Sequence, residues 1–299
     1  MRAFFTDRFA IPVPPGHRFP VGKYRRLRER LLDEHVLHAA ELFEPEPVCA
    51  DELSRAHADD YVSRMLAGYM TDREMRRIGF PWSEALVERS CRSCGGTLAA
   101  ARAALTDGIA VNLAGGTHHA CYDHGEGFCV FNDTVVAARA LQASGEARRI
   151  LVVDLDVHQG NGTAEIAAGD ETIYTFSMHG EGNYPVRKSV SDLDIALADA
   201  TGDEDYLDAL RMAWEKLAEF RADLVIYIAG ADPYASDRLG RLALTKEGLR
   251  QRDEIVVAAC RAAHIPLAVT LGGGYAQVLE DIVDIHLSTV HTAKRMGMA

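Results

Sequence analysis

The chain has no run approaching the roughly 18 uninterrupted apolar residues that a membrane-spanning helix requires, and its opening MRAFFTDRFAIP lacks the basic-then-apolar build of a secretory signal. A soluble, cytoplasmic protein with no membrane partner is therefore expected. Basic residues are in deficit, 32 Lys and Arg against 44 Asp and Glu for a formal net charge of −12, which argues against nonspecific nucleic-acid binding through a basic surface. A cationic substrate suits that balance, as does a plainly solvated acidic surface. Cysteine is sparse, and its positions 49, 91, 94, 121, 129 and 260 do not have the spacing of a disulfide framework, so reduced thiols are expected. The lone Cys91-x-x-Cys94 has no second pair and falls in a helical stretch, which argues against metal or redox use. Linkers, charge blocks, low-complexity tracts and repeats are also missing, so residues 1–299 read as a single domain.

What is present alternates. KYRRLRERLLDEHVL reads as a helix with a strongly basic outer face whose simplest role is to be solvated, and residues 50–70 and 83–106 give further helical patterns. Four short runs rich in Val, Ile and Leu follow: IAVNL at 109–113, ILVVDL at 150–155, LVIYIA at 224–229 and PLAVTL at 266–271. Continuous apolar runs of that length suit parallel strands buried on both faces. Amphipathic stretches such as TVVAARALQAS, EDYLDALRMAWEKLAEFR and TKEGLRQRDEIVVAACRAAH lie between them. The alternation predicts an α/β fold with a mostly parallel central sheet and helices on both faces.

Each apolar run ends in chemically able residues: GGTHH, DVHQGNGT, GADPY and GGGY. In open parallel sheets the ligand crevice lies outside the carboxyl ends of the strands, so His118, His119, Asp156, His158, Asp232 and Tyr275 should converge there. In DLDVH, Asp154, Asp156 and His158 are spaced by two, which puts them on one side of an extended chain. A carboxylate and an imidazole presented together are good zinc ligands, a catalytic site needs three protein ligands, and Asp232 is the natural third. Adjacent His118 and His119 suit acid–base work near neutral pH. On an extended segment at most one of them would face a substrate squarely unless the loop bends.

Together GGTHHA, GFCVFND, DLDVHQGNGT, AGADPYASDRLGRLALT and LGGGY resemble, in order, the signature segments of the histone deacetylase family, over about residues 17–292. HRFPVGKYRRLRERL and DRLG are most similar to the class IV branch and its bacterial relatives. The resemblance implies an arginase/deacetylase-like fold and a zinc-dependent hydrolase that removes an acyl group from a lysine side chain in a protein or peptide. It implies Asp156, His158 and Asp232 as zinc ligands and His119 as the general base and then acid. His118 would be its electrostatic partner, hydrogen-bonded to Asp154, and Tyr275 the donor to the oxyanion. Asn161 would stand behind His119, where some branches have an aspartate. The family also carries a monovalent cation, K+ or Na+, for which Asp154, Asp156, His158, Ser177 and the Met178 carbonyl match. Phe128 and Gly127 match the tunnel wall, and Gly273 and Gly274 should shape the tunnel floor with Tyr275. The loop HGEGNYPVRKSVSDLD at 179–194, with Tyr184, reads as entrance lining or a plain surface loop.

Three other readings stay open. An amidohydrolase of the same fold could take a small acylated amine such as an acetylpolyamine. An arginase-like enzyme needs two bridged metals, yet the position two after His158 is Gly160 where another acid would be wanted. A scaffold that binds acyl-lysine without turnover would be favoured by the loss of a catalytic residue, and none is missing. The residues leave acyl length, oligomeric state and the choice of zinc or ferrous iron undetermined.

Overall fold

The computed structural model describes residues 1–14 and 16–297, leaving Pro15, Met298 and Ala299 outside. Eight strands form: β1 Ala3–Phe4, β2 Leu42–Phe43, β3 Ile109–Asn112, β4 Ile150–Asp154, β5 Ile173–Gly180, β6 Leu193–Leu197, β7 Leu224–Ile228 and β8 Leu267–Thr270. They join in one sheet of order β2-β1-β3-β8-β7-β4-β5-β6, and every pairing between them is parallel. The four apolar runs are the contiguous centre, β3-β8-β7-β4, and each residue of these strands is buried.

Successive side chains on a strand point to opposite faces, so β4 feeds two cores. Leu151 and Val153 join one apolar cluster, while Ile150 and Val152 join the other. The first cluster includes Leu27 and Leu31 of helix Gly22–Asp33, Val256 and Val257 of helix Lys246–Ala262, and Ile282 of helix Leu279–Gly297. The second includes Leu98 of helix Glu84–Asp107 and Val135 of helix Asp133–Ser144. Each fully buried Val, Leu or Ile contributes about 1.5–3 kcal/mol. With both faces covered, side-chain chemistry is left to the strand ends.

Several expectations are corrected. Segment 179–194 is not all loop: β5 runs through Gly180 and β6 begins at Leu193. The β6 side chains alternate between half-buried and exposed at the sheet edge, which hides the strand from a search for continuous apolar runs. Residues 50–70 divide into helices Ala50–Leu53 and Asp59–Ala67. The basic face of helix Gly22–Asp33 is not simply solvated. Arg28 pairs with Asp7 at 2.8 Å, Arg26 pairs with Glu280 at 2.7 Å, and Arg30 reaches Glu280 and Asp284. Lys23 is buried and donates to the Gly272 carbonyl at 3.2 Å. Partly exposed pairs such as those to Glu280 and Asp284 contribute about 0–1 kcal/mol each, and they tie helix Gly22–Asp33 to the last helix beside the loop that carries Gly273 and Tyr275.

Candidate active site

Beyond the end of β4 the chain bends, and backbone amides take hold of the carboxylates. Asp156 N–H donates to Asp154 Oδ1 at 3.1 Å, His158 N–H to Asp156 Oδ1 at 3.0 Å and Val157 N–H to Asp232 Oδ1 at 3.0 Å. Asp232 arrives from the end of β7, and Gly273 N–H, after β8, donates to Asp156 Oδ2 at 2.7 Å. His158 Nδ1 lies 3.0 Å from Asp156 Oδ1 and 3.3 Å from Asp232 Oδ2. All three residues are buried, and one ligand atom from each lies within 4.8 Å of the others. Asp232 Oδ2 is buried without a hydrogen bond.

Burial, and then the Asp156 charge, raise the pKa of Asp232. Two buried carboxylates and an imidazole with an orphaned oxygen are costly unless a cation joins them. The set therefore fits a divalent metal of the kind that accepts mixed nitrogen and oxygen ligands. The cradle is tight, since a Cβ on Gly273 would stand 1.8 Å from Asp232 Oδ2.

The histidine loop after β3 is sharply bent, with φ of +86° at Gly115 and +67° at Gly116. Asp133, the first residue of helix Asp133–Ser144, fixes the bend by accepting from Gly116 N–H at 3.0 Å and Thr117 N–H at 2.7 Å. Both imidazoles consequently turn toward the metal cradle, with ring centroids 4.1 Å apart. His118 Nδ1 donates to Asp154 Oδ2 at 2.6 Å. Burial opposes a charge on His118, but Asp154 and Asp156 outweigh it and lift its pKa to about 9. His119 Nδ1 donates to Asn161 Oδ1 at 2.7 Å, leaving Nε2 for the site. Burial, His118 and His158 push the His119 pKa well below the usual histidine range, so this ring is a neutral proton acceptor at pH 7.

One partner was missed in the sequence. Asn161 Nδ2 donates to Glu126 Oε1 at 2.7 Å, and Arg77 Nε donates to Glu126 Oε2 at 2.7 Å. Burial works against ionisation of Glu126, but donors from His124, Asn161, Arg77 and Tyr184 hold its carboxyl well below the usual range. A carboxylate thus stands one amide behind His119. Its only sequence signal is an acid inside HGEGFC, with no periodicity to mark it. Glu126, Cys121 and His124 also present ligand atoms within 4.8 Å of one another. The Arg77 pair and a thiol pushed up by burial count against a metal there. Cys91 and Cys94 are buried with raised thiols.

Tyr275 is buried, and its pKa is driven well above 10 by burial and by the charges of Asp232 and Asp156, so it remains a proton donor. Its ring centroid is 6.4 Å from His158 and 5.9 Å from Phe128. Tyr184 stands edge-on to His119 at 4.9 Å and is 41% exposed, which sets this part of the 181–192 loop against the site. Gly127 has φ of +57°, and a Cβ there would stand 2.6 Å from His119 Cδ2. Gly274 follows Gly273 with φ of +149°. These aromatic and glycine surfaces lead outward into a cavity of about 460 Å³ that also touches Arg18, Arg76, Arg77 and Arg241. On the far side of the histidines, Asp154 stands in register with Ser177 across β4 and β5, and Met178 follows.

The structure therefore brings together the residues that the sequence holds up to 157 positions apart, from His118 to Tyr275. Residues 17–290 match the histone deacetylase domain model. An uncharacterized protein of Picosynechococcus sp. is 44% identical over 288 residues, 96% of each chain. Histone deacetylase 2 of Arabidopsis thaliana is 29% identical over 90% of this chain and 73% of its own length. The crystal structure of an HDAC homolog from Aquifex aeolicus superposes with a TM-score of 0.82 at 23% identity, covering 98% of this chain and 83% of that one. The chain belongs to the histone deacetylase family, whose members are metal-dependent hydrolases.

Proposed function

We propose that the chain is a zinc-dependent deacylase that hydrolyses the side-chain amide of an acyl-lysine in a protein or peptide. The observation that carries this reading is the convergence of Asp156, His158 and Asp232 beside a neutral His119 and a protonated Tyr275, at the inner end of a cavity walled by Phe128, Tyr184 and Tyr275. Such a cavity fits a long aliphatic stem ending in an amide. Zinc, or ferrous iron in its place, would be held by those three side chains and would polarise the acyl carbonyl while acidifying water.

The chain's own groups complete the reaction. His119 Nε2 takes the proton of the attacking water, because its Nδ1 proton is committed to Asn161. It then returns that proton to the departing amine. His118, held protonated by the Asp154 and Asp156 carboxylates, offsets part of the negative charge around the site. Tyr275 donates from the opposite wall to the oxygen on which negative charge develops.

A K+ or Na+ ion among the oxygens of Asp154, Asp156, Ser177 and the Met178 carbonyl, beside His158, belongs to the same reading, with the β4–β5 register in support. So does a cytoplasmic setting, which the six unpaired cysteines suit. The class IV resemblance of residues 17–31 and 237–240 leaves a long acyl group open beside acetyl.

Hydrolysis of acetyl-, octanoyl- and myristoyl-lysine peptides, beside acetylated putrescine and spermidine, tests the proposal with Tyr275→Phe as control. Turnover of a lysine peptide that disappears in the variant is expected. Preference for a polyamine would transfer the protein to small-amine chemistry. Binding without turnover in the metal-loaded protein would make it a scaffold.

A further inference from the structure

The mouth of the tunnel reverses the charge of the rest of the chain. Arg18, Arg76, Arg77 and Arg241 line the outer cavity that reaches His119, His158 and Tyr275, and among the described residues no Asp or Glu lines it. Acids outnumber bases 44 to 32 in the whole sequence, so four arginines in one cavity that no acid lines is not what composition alone would put there. The four come from three separate segments: the approach to helix Gly22–Asp33, the last turn of helix Asp72–Ile78, and the stretch after Asp237. A favourable interaction with a helix carboxyl end accounts for Arg76 and Arg77, but not for Arg18 or Arg241.

All four side chains are exposed and able to meet a ligand. Glu126 and Asp199 pair with Arg77 and Arg241 from outside the cavity, whereas Arg18 and Arg76 pair with no carboxylate among the described residues. Arg238 adds a further charge nearby. Its guanidinium donates to the carbonyls of Tyr275 at 2.7 Å and Arg18 at 3.4 Å, which ties the arginine-bearing approach segment to the loop of Tyr275.

We infer that this mouth selects an acyl-lysine carried on an acidic peptide segment, with Asp or Glu side chains flanking the lysine and meeting Arg18 and Arg76. The inference rests on the acyl-lysine hydrolase reading given above and names its substrate class. It reverses the expectation of a cationic substrate drawn from net charge, because the local field at a cleft, and not the total charge, steers a ligand. A lysine-rich tail or an acetylated polyamine would place its remaining positive charges among the arginines.

The test uses labelled acyl-lysine peptides identical except for two Glu, two Ser or two Lys on each side of the modified residue. Dissociation constants by fluorescence anisotropy and kcat/KM are measured at low and at physiological salt, for the wild type, for Arg18→Ser/Arg76→Ser and for Arg76→Glu. The acidic peptide is expected to bind about tenfold or more tightly than the basic one at low salt, with the difference shrinking as salt rises. The double variant should lose most of that preference, and the charge reversal should weaken the acidic peptide most.

Equal binding of the three peptides, preference for the basic one, or a preference untouched by the substitutions would overturn the inference. Turnover of all peptides without regard to flank would do the same while leaving the hydrolase reading intact. Acidic preference in binding with no turnover of any peptide would support the arginine mouth and overturn the hydrolase reading.

Discussion

Asn161 supports His119 with a neutral amide where Asp154 supports the adjacent His118 with a carboxylate, over nearly equal distances of 2.7 and 2.6 Å. The two rings accordingly diverge. His118 is raised to about 9 and His119 lowered well below the usual histidine range. Activity that needs neutral His119 should persist below pH 6.5 and fall only when the ring takes up a proton. In Asn161→Asp the new carboxylate favours the imidazolium, so the His119 pKa rises and the acid limb of the kcat/KM profile moves to higher pH, by about one unit. An acid limb in the same place would remove Asn161 from the tuning of this base.

Glu126 complicates that substitution in an informative way. Asn161 Nδ2 donates to Glu126, so an aspartate at 161 would lose this bond and confront a like charge. Asn161→Asp alone is therefore expected to lower the thermal midpoint, and Asn161→Asp/Glu126→Gln to restore it while keeping the shifted pH profile. In Glu126→Gln alone kcat should fall several-fold with KM nearly unchanged, since the carboxylate steadies the amide behind the base and touches no substrate. A change confined to KM would place Glu126 on the substrate path instead.

The central strands were legible because burial on both faces writes a continuous apolar run, and β3, β4, β7 and β8 all carry one. The edge strand β6 alternates, and two-residue β1 and β2 are too short to leave any pattern. Asp156, His158 and Asp232 stood out because parallel strands deliver their carboxyl ends to one crevice. The turning of His118 and His119 to the same side did not, because it depends on Asp133 gripping the amides of Gly116 and Thr117. Glu126 was invisible for a similar reason: an acid in a glycine-rich loop acquires its role only from Asn161 and Arg77, which lie 35 and 49 positions away. Net charge could not show the arginine-lined mouth, because it averages over the whole surface and the four arginines come from three separate segments.

Removing the Tyr275 hydroxyl separates catalysis from metal retention. The side chain is buried beside His158 but is no member of the Asp156, His158, Asp232 cluster. Tyr275→Phe should lower kcat by about 10²–10³-fold, the usual cost of one oxyanion donor, with bound metal unchanged by elemental analysis. Loss of metal together with activity would assign Tyr275 a structural part in the cradle.

The metal cradle predicts linked stability. Asp232 Oδ2 lacks a hydrogen bond and stands beside two other ligand atoms, so a bound divalent ion relieves a cost present in its absence. Zinc at 100 times its dissociation constant should stabilise the fold by about 2.7 kcal/mol, read as a rise in Tm that chelation reverses. His158→Ala should abolish both the rise and the turnover. A Tm insensitive to chelator and zinc in the wild type would place the metal elsewhere.

The loop of Asp232 also depends on a buried ion pair that no substrate touches. Arg252 is fully buried, donates from Nη1 to the Gly230 carbonyl at 2.6 Å, and holds Asp253 Oδ1 through Nε at 2.9 Å and Nη2 at 2.8 Å. Tyr227 Oη and Thr289 Oγ1 complete the carboxylate's shell at 2.6 Å each. Asp253→Ala leaves the Arg252 charge buried without its counterion, at an expected cost of about 3–5 kcal/mol, seen as a lower urea midpoint. Because Arg252 anchors Gly230, two residues before Asp232, the same variant should bind zinc more weakly even where it remains folded. Asp253→Asn keeps the hydrogen-bonding shape without the charge and should fall between the two. Equal losses in Ala and Asn would mean that the charge, and not the lost contacts, dominates; wild-type stability in both would remove this pair from the support of the metal loop.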